Sequence, residues 1–223
     1  MKLLYRGKTK DVYQFSEEKL VLYFKDSITG SDVSPDPGGN EVVGSLAGKG
    51  GASLRLSAYF FELLELAGIP THYIGPGSEE NCLLVKKTRS FNLEVICREK
   101  AWGSFLRRYG KYAVKGQPLS SLVEFTLKDD ERGDPPATVA VIAALKIASP
   151  SETEYMEETA RRATALIKKE LASKDLELID IKYEFGKVAG RILLIDEISG
   201  DSMRVLQGNR VLSPEEPAAV FFE

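Results

Sequence analysis

Histidine is almost absent from these 223 residues: the single one is His72, in Gly68-Ile69-Pro70-Thr71-His72. A Ser-His-Asp hydrolase would have to run through it, and a zinc site with two or more histidines is impossible. His72 itself reads as a partly buried turn residue. Cysteine is scarce as well: Cys82 and Cys97 allow one bridge at most and make no disulfide framework. Charge of one sign is not in excess, because 30 Lys+Arg meet 33 Asp+Glu for a net charge of −3. Bulk attraction to nucleic acid or anionic lipid is therefore not the design. No run approaches the ~20 apolar residues that cross a bilayer. Met1 to Gly7 hold no apolar run of signal-peptide length. Internal repeats, low-complexity segments and a Gly-x-x-x-x-Gly-Lys-Ser/Thr phosphate loop are also missing.

What is present describes a folded, soluble and cytoplasmic chain. A hydrophobic content of 43% with 28% charge is too apolar for disorder and suits one sizeable domain or two small ones. With histidine and cysteine set aside, chemistry falls to carboxylates, lysines, arginines and a metal held by oxygen. That set suits phosphoryl transfer better than acyl transfer.

The first ~45 residues predict β-structure, as short apolar runs separated by turn formers. Leu3-Leu4-Tyr5 leads through a basic turn, Arg6 to Lys10, into Val12–Phe15 and then Leu20–Phe24. Residues 27–51, rich in glycine and proline, predict a long loop. Apolar spacing predicts a helix over 53–67 that stops at Gly68. Strands follow at Asn81–Lys87 and Phe91–Arg98, then a short helix near 101–109 and an irregular middle. Ser149-Pro150-Ser151-Glu152 is a strong helix start, with Tyr155, Thr159, Ala163, Leu166, Ile167 and Leu171 on one face. Two last strands, Leu176–Phe185 and Arg191–Ser199, flank a tight Gly186–Gly190 turn. The fold class is α+β in two lobes that meet near residue 86: a β-rich N-terminal lobe, 1–86, and a mixed α/β C-terminal lobe, 87–223.

Chemistry concentrates in four segments. In Asp180-Ile181-Lys182-Tyr183-Glu184-Phe185-Gly186, strand alternation puts Asp180, Lys182 and Glu184 on one face. An amphipathic strand that shows its charge to water is the other reading of this pattern. The neighbouring run Ile192-Leu193-Leu194-Ile195 ends in the pair Asp196-Glu197, and a hairpin brings Glu184 within reach of Asp196. Buried carboxylates so placed repel unless a cation or proton lies between them, and oxygen ligands suit Mg²⁺. Arg6-Gly7-Lys8-Thr9-Lys10 offers amides and lysines to polyphosphate, or is a plain surface turn. Arg98 to Ser104, leaving a strand and entering a helix, is an anion cradle or mere helix punctuation. Lys128 to Pro135 is an acidic loop, functional or simply solvated.

Taken together these segments resemble the SAICAR synthetases, ligases of the purine pathway. The resemblance runs over most of residues 4–206, from Leu4-Tyr5-Arg6-Gly7-Lys8-Thr9-Lys10 through Gly48-Lys49-Gly50, Glu94-Val95-Ile96-Cys97-Arg98 and Leu127-Lys128-Asp129-Asp130. It is most specific in Asp180–Gly186 and Asp196-Glu197-Ile198-Ser199. Departures at Asn92, Gly51-Ala52 and Trp102, with a short C-terminus after Glu216, resemble a divergent, archaeal-type branch.

The resemblance implies an ATP-dependent carbon–nitrogen ligase that condenses L-aspartate with carboxyaminoimidazole ribonucleotide. ATP and Mg²⁺ are the implied cofactors, and the resemblance places the nucleotide cleft between the two lobes. By matching, Lys8, Lys10, Lys86 and Glu94 bind ATP, and Glu184 and Asp196 hold Mg²⁺. Arg98, Ser104 and Arg204 hold the ribonucleotide phosphate, with the catalytic pair Lys182 and Asp180 near its ring and carboxylate. Lys128 and Asp134 border the substrate cleft. Partners are small-molecule substrates only, with no nucleic acid and no membrane, in a homo-oligomer. A small-molecule kinase is the alternative, although no His-Arg-Asp or Asp-Phe-Gly segment is present. A non-catalytic nucleotide- or RNA-binding module is a third reading, opposed by the charge balance.

Overall fold

The computed structural model describes residues 1–31, 34–35, 39 and 41–222. Three short apolar runs with polar turns between them pair as an antiparallel meander: β1 (Lys2–Arg6), β2 (Lys10–Gln14) and β3 (Lys19–Phe24). Next come β4 (Ser27–Ser31), β5 (Ser34–Pro35) and β6 (Glu41–Ser45), which form a small sheet of their own in the order β5-β4-β6. This corrects the expectation of a loop over 27–51. The β-branched Ile28, Thr29 and Val42 sustain a ladder, with glycines 30 and 44 inside it rather than ending it. The part of that expectation that falls on Pro37 and Gly38 lies outside the described residues.

Helix α1 (Lys49–Leu66) starts four residues before the predicted Ser53. A distant side chain sets its beginning: the Asp26 carboxylate accepts from the backbone N–H of Gly48 at 3.2 Å and of Gly50 at 2.9 Å. Gly50 also runs so close to β3 that a Cβ there would lie 2.6 Å from the Phe24 carbonyl oxygen. Strands β7 (Tyr73–Pro76) and β8 (Cys82–Lys86) complete the first sheet, ordered β1-β2-β3-β8-β7.

The rest of the chain supplies β9 (Arg89–Lys100), α2 (Gly103–Tyr109), β10 (Pro118–Leu127), α3 (Val139–Ala144), α4 (Pro150–Ala172), β11 (Leu176–Val188), β12 (Arg191–Ile195), β13 (Met203–Gln207), β14 (Arg210–Val211) and α5 (Glu216–Phe222). The expected irregular middle therefore contains a long strand, β10, hidden in the sequence by Ser120 and Ser121, which both take positive φ where its register shifts. The second sheet runs β10-β9-β11-β13-β14, and β12 also pairs with β11. Strand β11 reaches Val188, past the predicted turn, and only Ala189-Gly190 join it to β12. Strand β12 stops at Ile195 instead of Ser199, because Asp196 has φ +73° and cannot continue a ladder.

Helix α4 begins with the predicted capping box: Ser149 Oγ accepts from the Glu152 backbone N–H, and the Glu152 carboxylate accepts from the Ser149 backbone N–H at 2.8 Å. Its buried face is centred on Met156, Thr159, Ala163, Ile167 and Leu171. Tyr155, expected on that face, is 37% exposed. The helix covers the apolar side of β11, where Thr164 Oγ1 and Tyr183 OH lie 3.0 Å apart. Ile181, Tyr183 and Phe185 are sealed in this core with Phe60 and Leu64 of α1. Cys82 and Cys97 are buried and unbridged. The polar side of β11 does not face bulk water. Asp180 and Glu184 are buried and, with Lys182, line a cavity.

Candidate active site

That cavity measures about 880 Å³ and draws on both large sheets. All of the residues singled out from the sequence line it: Lys8, Lys10, Lys86, Glu94, Arg98, Ser104, Lys128, Asp134, Asp180, Lys182, Glu184, Asp196 and Arg204. Strand β11 forms its floor, and the charges sort into two ends.

One end alternates lysines with carboxylates. The register pairs Glu184 with Ile195, so the chain leaves β12 at Asp196 beside Glu184. Lys128 Nζ donates to Glu184 Oε1 at 2.6 Å, and Lys182 Nζ to Glu94 Oε1 at 2.9 Å, with Glu184 3.9 Å away. Thr126 Oγ1 donates to the second Glu94 oxygen at 2.9 Å. Lys10 Nζ lies 3.2 Å from Asp196 Oδ1 and also donates to Glu197, whose other oxygen accepts from Ser199 Oγ at 2.6 Å. Deeper in, Lys49 Nζ and Ser53 Oγ meet Asp201 Oδ2 at 2.5 and 2.9 Å.

The carboxylate pair does not titrate evenly. Burial, then repulsion from Asp196, pushes Glu184 above its ordinary value. Burial acts on Asp196 too, but Lys10, Lys128 and Lys182 outweigh it and hold that carboxyl below the usual range. Burial opposes the Lys128 charge as well; Glu184 and Asp196 overcome it, so its pKa rises. Among the described residues no cluster of three or more His, Cys, Asp or Glu converges as a ready metal cage. Two neighbouring carboxylates, one kept ionised, are the donor set Mg²⁺ accepts when substrate phosphates and water supply its remaining ligands. The residues fit the ion.

The other end is built from arginines. Arg98 is 1% exposed, and each of its nitrogens is used: Nε to Glu124 at 2.5 Å, Nη1 to Asp180 at 3.0 Å, Nη2 to Ser104 Oγ at 3.0 Å. Arg204 Nη1 grips both oxygens of Asp180, at 2.9 and 2.8 Å. Gly103 lets α2 come this close: its φ is +49°, and a Cβ would sit 2.9 Å from Arg204 Nη2.

The remaining predicted residues sit around the rim. Lys8 Nζ crosses to Asp130 Oδ1 at 2.8 Å, joining the first turn of the chain to the acidic loop after β10. Asp134 Oδ1 accepts from the Asp129 backbone at 2.8 Å and shapes that loop. Lys86 Nζ reaches the Thr71 carbonyl at 3.2 Å. His72 is fully buried, not partly: its ring stands edge-on to Phe61, and burial lowers its pKa to about 4. Sequence reasoning gave no role to Lys49, Arg108, Glu124, Glu197 or Asp201. Glu197 adjoins a predicted ligand and Lys49 lies in Gly48-Lys49-Gly50, so position was their only signal; nothing local marks Glu124.

The sequence and the fold both match known proteins. A family model described as SAICAR synthetase matches residues 3–217. The phosphoribosylaminoimidazole-succinocarboxamide synthase of Clostridium tetani is 45% identical over 218 residues, covering 96% of each chain. That of Aquifex aeolicus is 39% identical over 205 residues, covering 91% of this chain and 90% of the relative. Among solved structures, a SAICAR synthetase in complex with ADP superposes with a TM-score of 0.85 at 36% identity, covering 94% of this chain and 87% of that one. The Ehrlichia chaffeensis synthase reaches the same TM-score at 27% identity, covering 95% and 89%. A match along nearly the whole length, in sequence and in fold, leaves one conclusion: the chain belongs to the SAICAR synthetase family.

Proposed function

We propose that the two ends of the cavity hold the two halves of a single reaction. The chain is an ATP-dependent carbon–nitrogen ligase that condenses L-aspartate with carboxyaminoimidazole ribonucleotide, giving SAICAR, ADP and phosphate in purine biosynthesis. A kinase reading is not favoured. The observation that carries the site assignment is β11 itself. Asp180, bound by Arg98 and Arg204, and Glu184, beside Asp196, stand four residues apart on one face, about 13 Å by strand rise. That span gives room for a ribosyl-imidazole between a phosphate at one end and a reacting carboxylate at the other.

In this reading Arg204, Ser104 and Arg98 bind the ribonucleotide phosphate, and Lys8 and Lys10 bind ATP phosphates, with Lys86 and Glu94 beside the nucleotide. Lys8 exchanges its Asp130 partner for phosphate oxygens. Glu184 and Asp196 hold Mg²⁺, which when bound neutralises charge on the transferring phosphoryl group. A carboxylate is a poor acyl donor. Its oxygen therefore attacks the γ-phosphorus as ADP leaves, and the aspartate amine then displaces phosphate from the acyl carbon. Lys182, held by Glu94, carries a fixed positive charge next to that carboxylate. Lys128 and Asp134 border the entry of the amine. We further read residues 1–86 and 87–223 as the two lobes, and the protein as cytoplasmic and homo-oligomeric, acting without nucleic acid or membrane. No helix of the described residues is long and apolar enough to cross a membrane. A coupled ADP-release assay tests the reaction: release should require both L-aspartate and the ribonucleotide, and aspartate-independent turnover would return the kinase reading.

A further inference from the structure

Helix α1 carries a polar stripe on the first half of its buried face. Lys49, Ser53 and Ser57 follow at intervals of four residues, so they share one side, and each is fully buried. None of the three lines the cavity. They meet instead the segment 196–202, which follows β12. Lys49 Nζ and Ser53 Oγ both donate to Asp201 Oδ2. Ser57 Oγ accepts from the Ile198 backbone N–H at 3.2 Å and donates to the Ile198 carbonyl at 3.4 Å. Within the segment, Ser199 Oγ accepts from the Asp201 backbone N–H at 3.0 Å while it donates to Glu197. The Ser202 carbonyl accepts from the Lys182 backbone N–H at 2.8 Å.

The segment opens at Asp196, whose φ of +73° is a conformation that a non-glycine residue keeps only where its surroundings over-determine it. The stripe on α1 supplies that constraint from one side. The same helix is tied to the first turn of the chain. Asp26 caps α1, and beside it the Lys25 backbone N–H donates to the Thr9 carbonyl at 2.8 Å and Lys25 Nζ to the Gly7 carbonyl. Lys10, from that turn, closes a ring by meeting Glu197. A buried ion pair costs about as much in desolvation as its attraction returns, so what Lys49 and Asp201 contribute is orientation.

We propose that Lys49 is a positioning residue of the reaction: through Asp201 it fixes the 196–202 segment against the turn 7–10, so that the Asp196 carboxylate meets the metal where the nucleotide phosphates lie. The proposal rests on the reading of Asp196 as a Mg²⁺ ligand and Lys10 as a phosphate ligand. Its test measures ADP affinity by calorimetry with and without Mg²⁺, beside kcat and the KM of each substrate, in K49M, K49M/D201N, S57A and D196N. Misplacing a metal ligand without deleting it should lower the kcat of K49M by about 10- to 100-fold. The gain in ADP affinity that Mg²⁺ gives should shrink with it, while KM for the ribonucleotide stays level. K49M alone leaves a buried carboxylate unpaired and should lower the thermal midpoint. The double variant removes both charges and should recover most of that midpoint, but neither kcat nor the Mg²⁺ gain. S57A should move the same two readouts by less. Recovery of kcat together with stability in the double variant makes the pair structural and overturns the proposal, as does failure of both Lys49 variants to fold. A Mg²⁺ gain unchanged in D196N overturns the metal reading, and the proposal with it. A gain abolished in D196N but intact in K49M and S57A overturns the role of Lys49 alone.

Discussion

The two ends of the cavity use the same charges in different ways. At the arginine end, planar forks lock carboxylates with several bonds each, and Arg98 and Asp180 are almost fully buried. At the lysine end, point charges on flexible stems share carboxylates: Lys10 divides itself between Asp196 and Glu197, and Lys182 between Glu94 and Glu184. Guanidinium stays charged and oriented, which suits holding a group that does not react. Ammonium groups can move from a protein carboxylate to a phosphate oxygen at little geometric cost. In the proposed reading, the inert and the reacting parts of the substrate are separated by cation type as well as by position.

The strongest way to break this comparison is at Asp196. D196N keeps shape, and asparagine tolerates the φ of +73°, so the protein should fold. Removing the carboxylate held ionised by Lys10, Lys128 and Lys182 should lower kcat by roughly 100- to 1000-fold and move the Mg²⁺ requirement to higher concentration. Titrating kcat against Mg²⁺ decides it; near-normal turnover with reduced stability would make Asp196 a structural residue.

Next in size is the contrast between two lysines of one turn. From sequence both Lys8 and Lys10 pass for exposed surface lysines, yet Lys10 is buried against Asp196 and Glu197. K10A strands buried carboxylates and should cost about 3–5 kcal/mol of stability. K8A removes an ion pair whose Asp130 partner is 52% exposed and should cost no more than about 1 kcal/mol. Urea unfolding of the two variants measures the gap, and ADP titration should show weakened binding in both.

The smallest effect lies outside both ends and calibrates them. At the start of α4, the Lys187 ammonium and then the Ser149 backbone N–H lower the Glu152 pKa to about 2. A depressed carboxyl stabilises the fold above its unfolded value, near 4.5, and loses that contribution as pH falls toward 2. The thermal midpoint of E152Q should therefore lie a little below that of the parent at neutral pH, and the difference should close over that window.

Much of the fold was legible because local chemistry and final structure agree. The capping box at Ser149, the alternation of Asp180, Lys182 and Glu184, and the carboxylate ending an apolar run at Asp196 all rest on neighbours in sequence. Strands β4, β6 and β10 were lost because glycines and paired serines resemble loop where a ladder partner overrides them. The start of α1 was misplaced because its cap, Asp26, lies more than twenty positions away.

By itself the sequence determined the chemical class and named part of the cavity lining. One histidine and two cysteines leave carboxylates, lysines and arginines, and strand periodicity gathers three of them onto one face. Tertiary structure alone decided which cation meets which carboxylate. Glu124 reaches Arg98 and Arg108, Lys49 reaches Asp201, and Lys10 reaches Glu197, across separations of 16 to 187 positions. Those pairings set burial, and burial sets charge state. A carboxylate alone in the sequence has an ordinary pKa; Glu184 and Asp196 part in opposite directions only once the fold puts one against the other and unequal numbers of lysines around them.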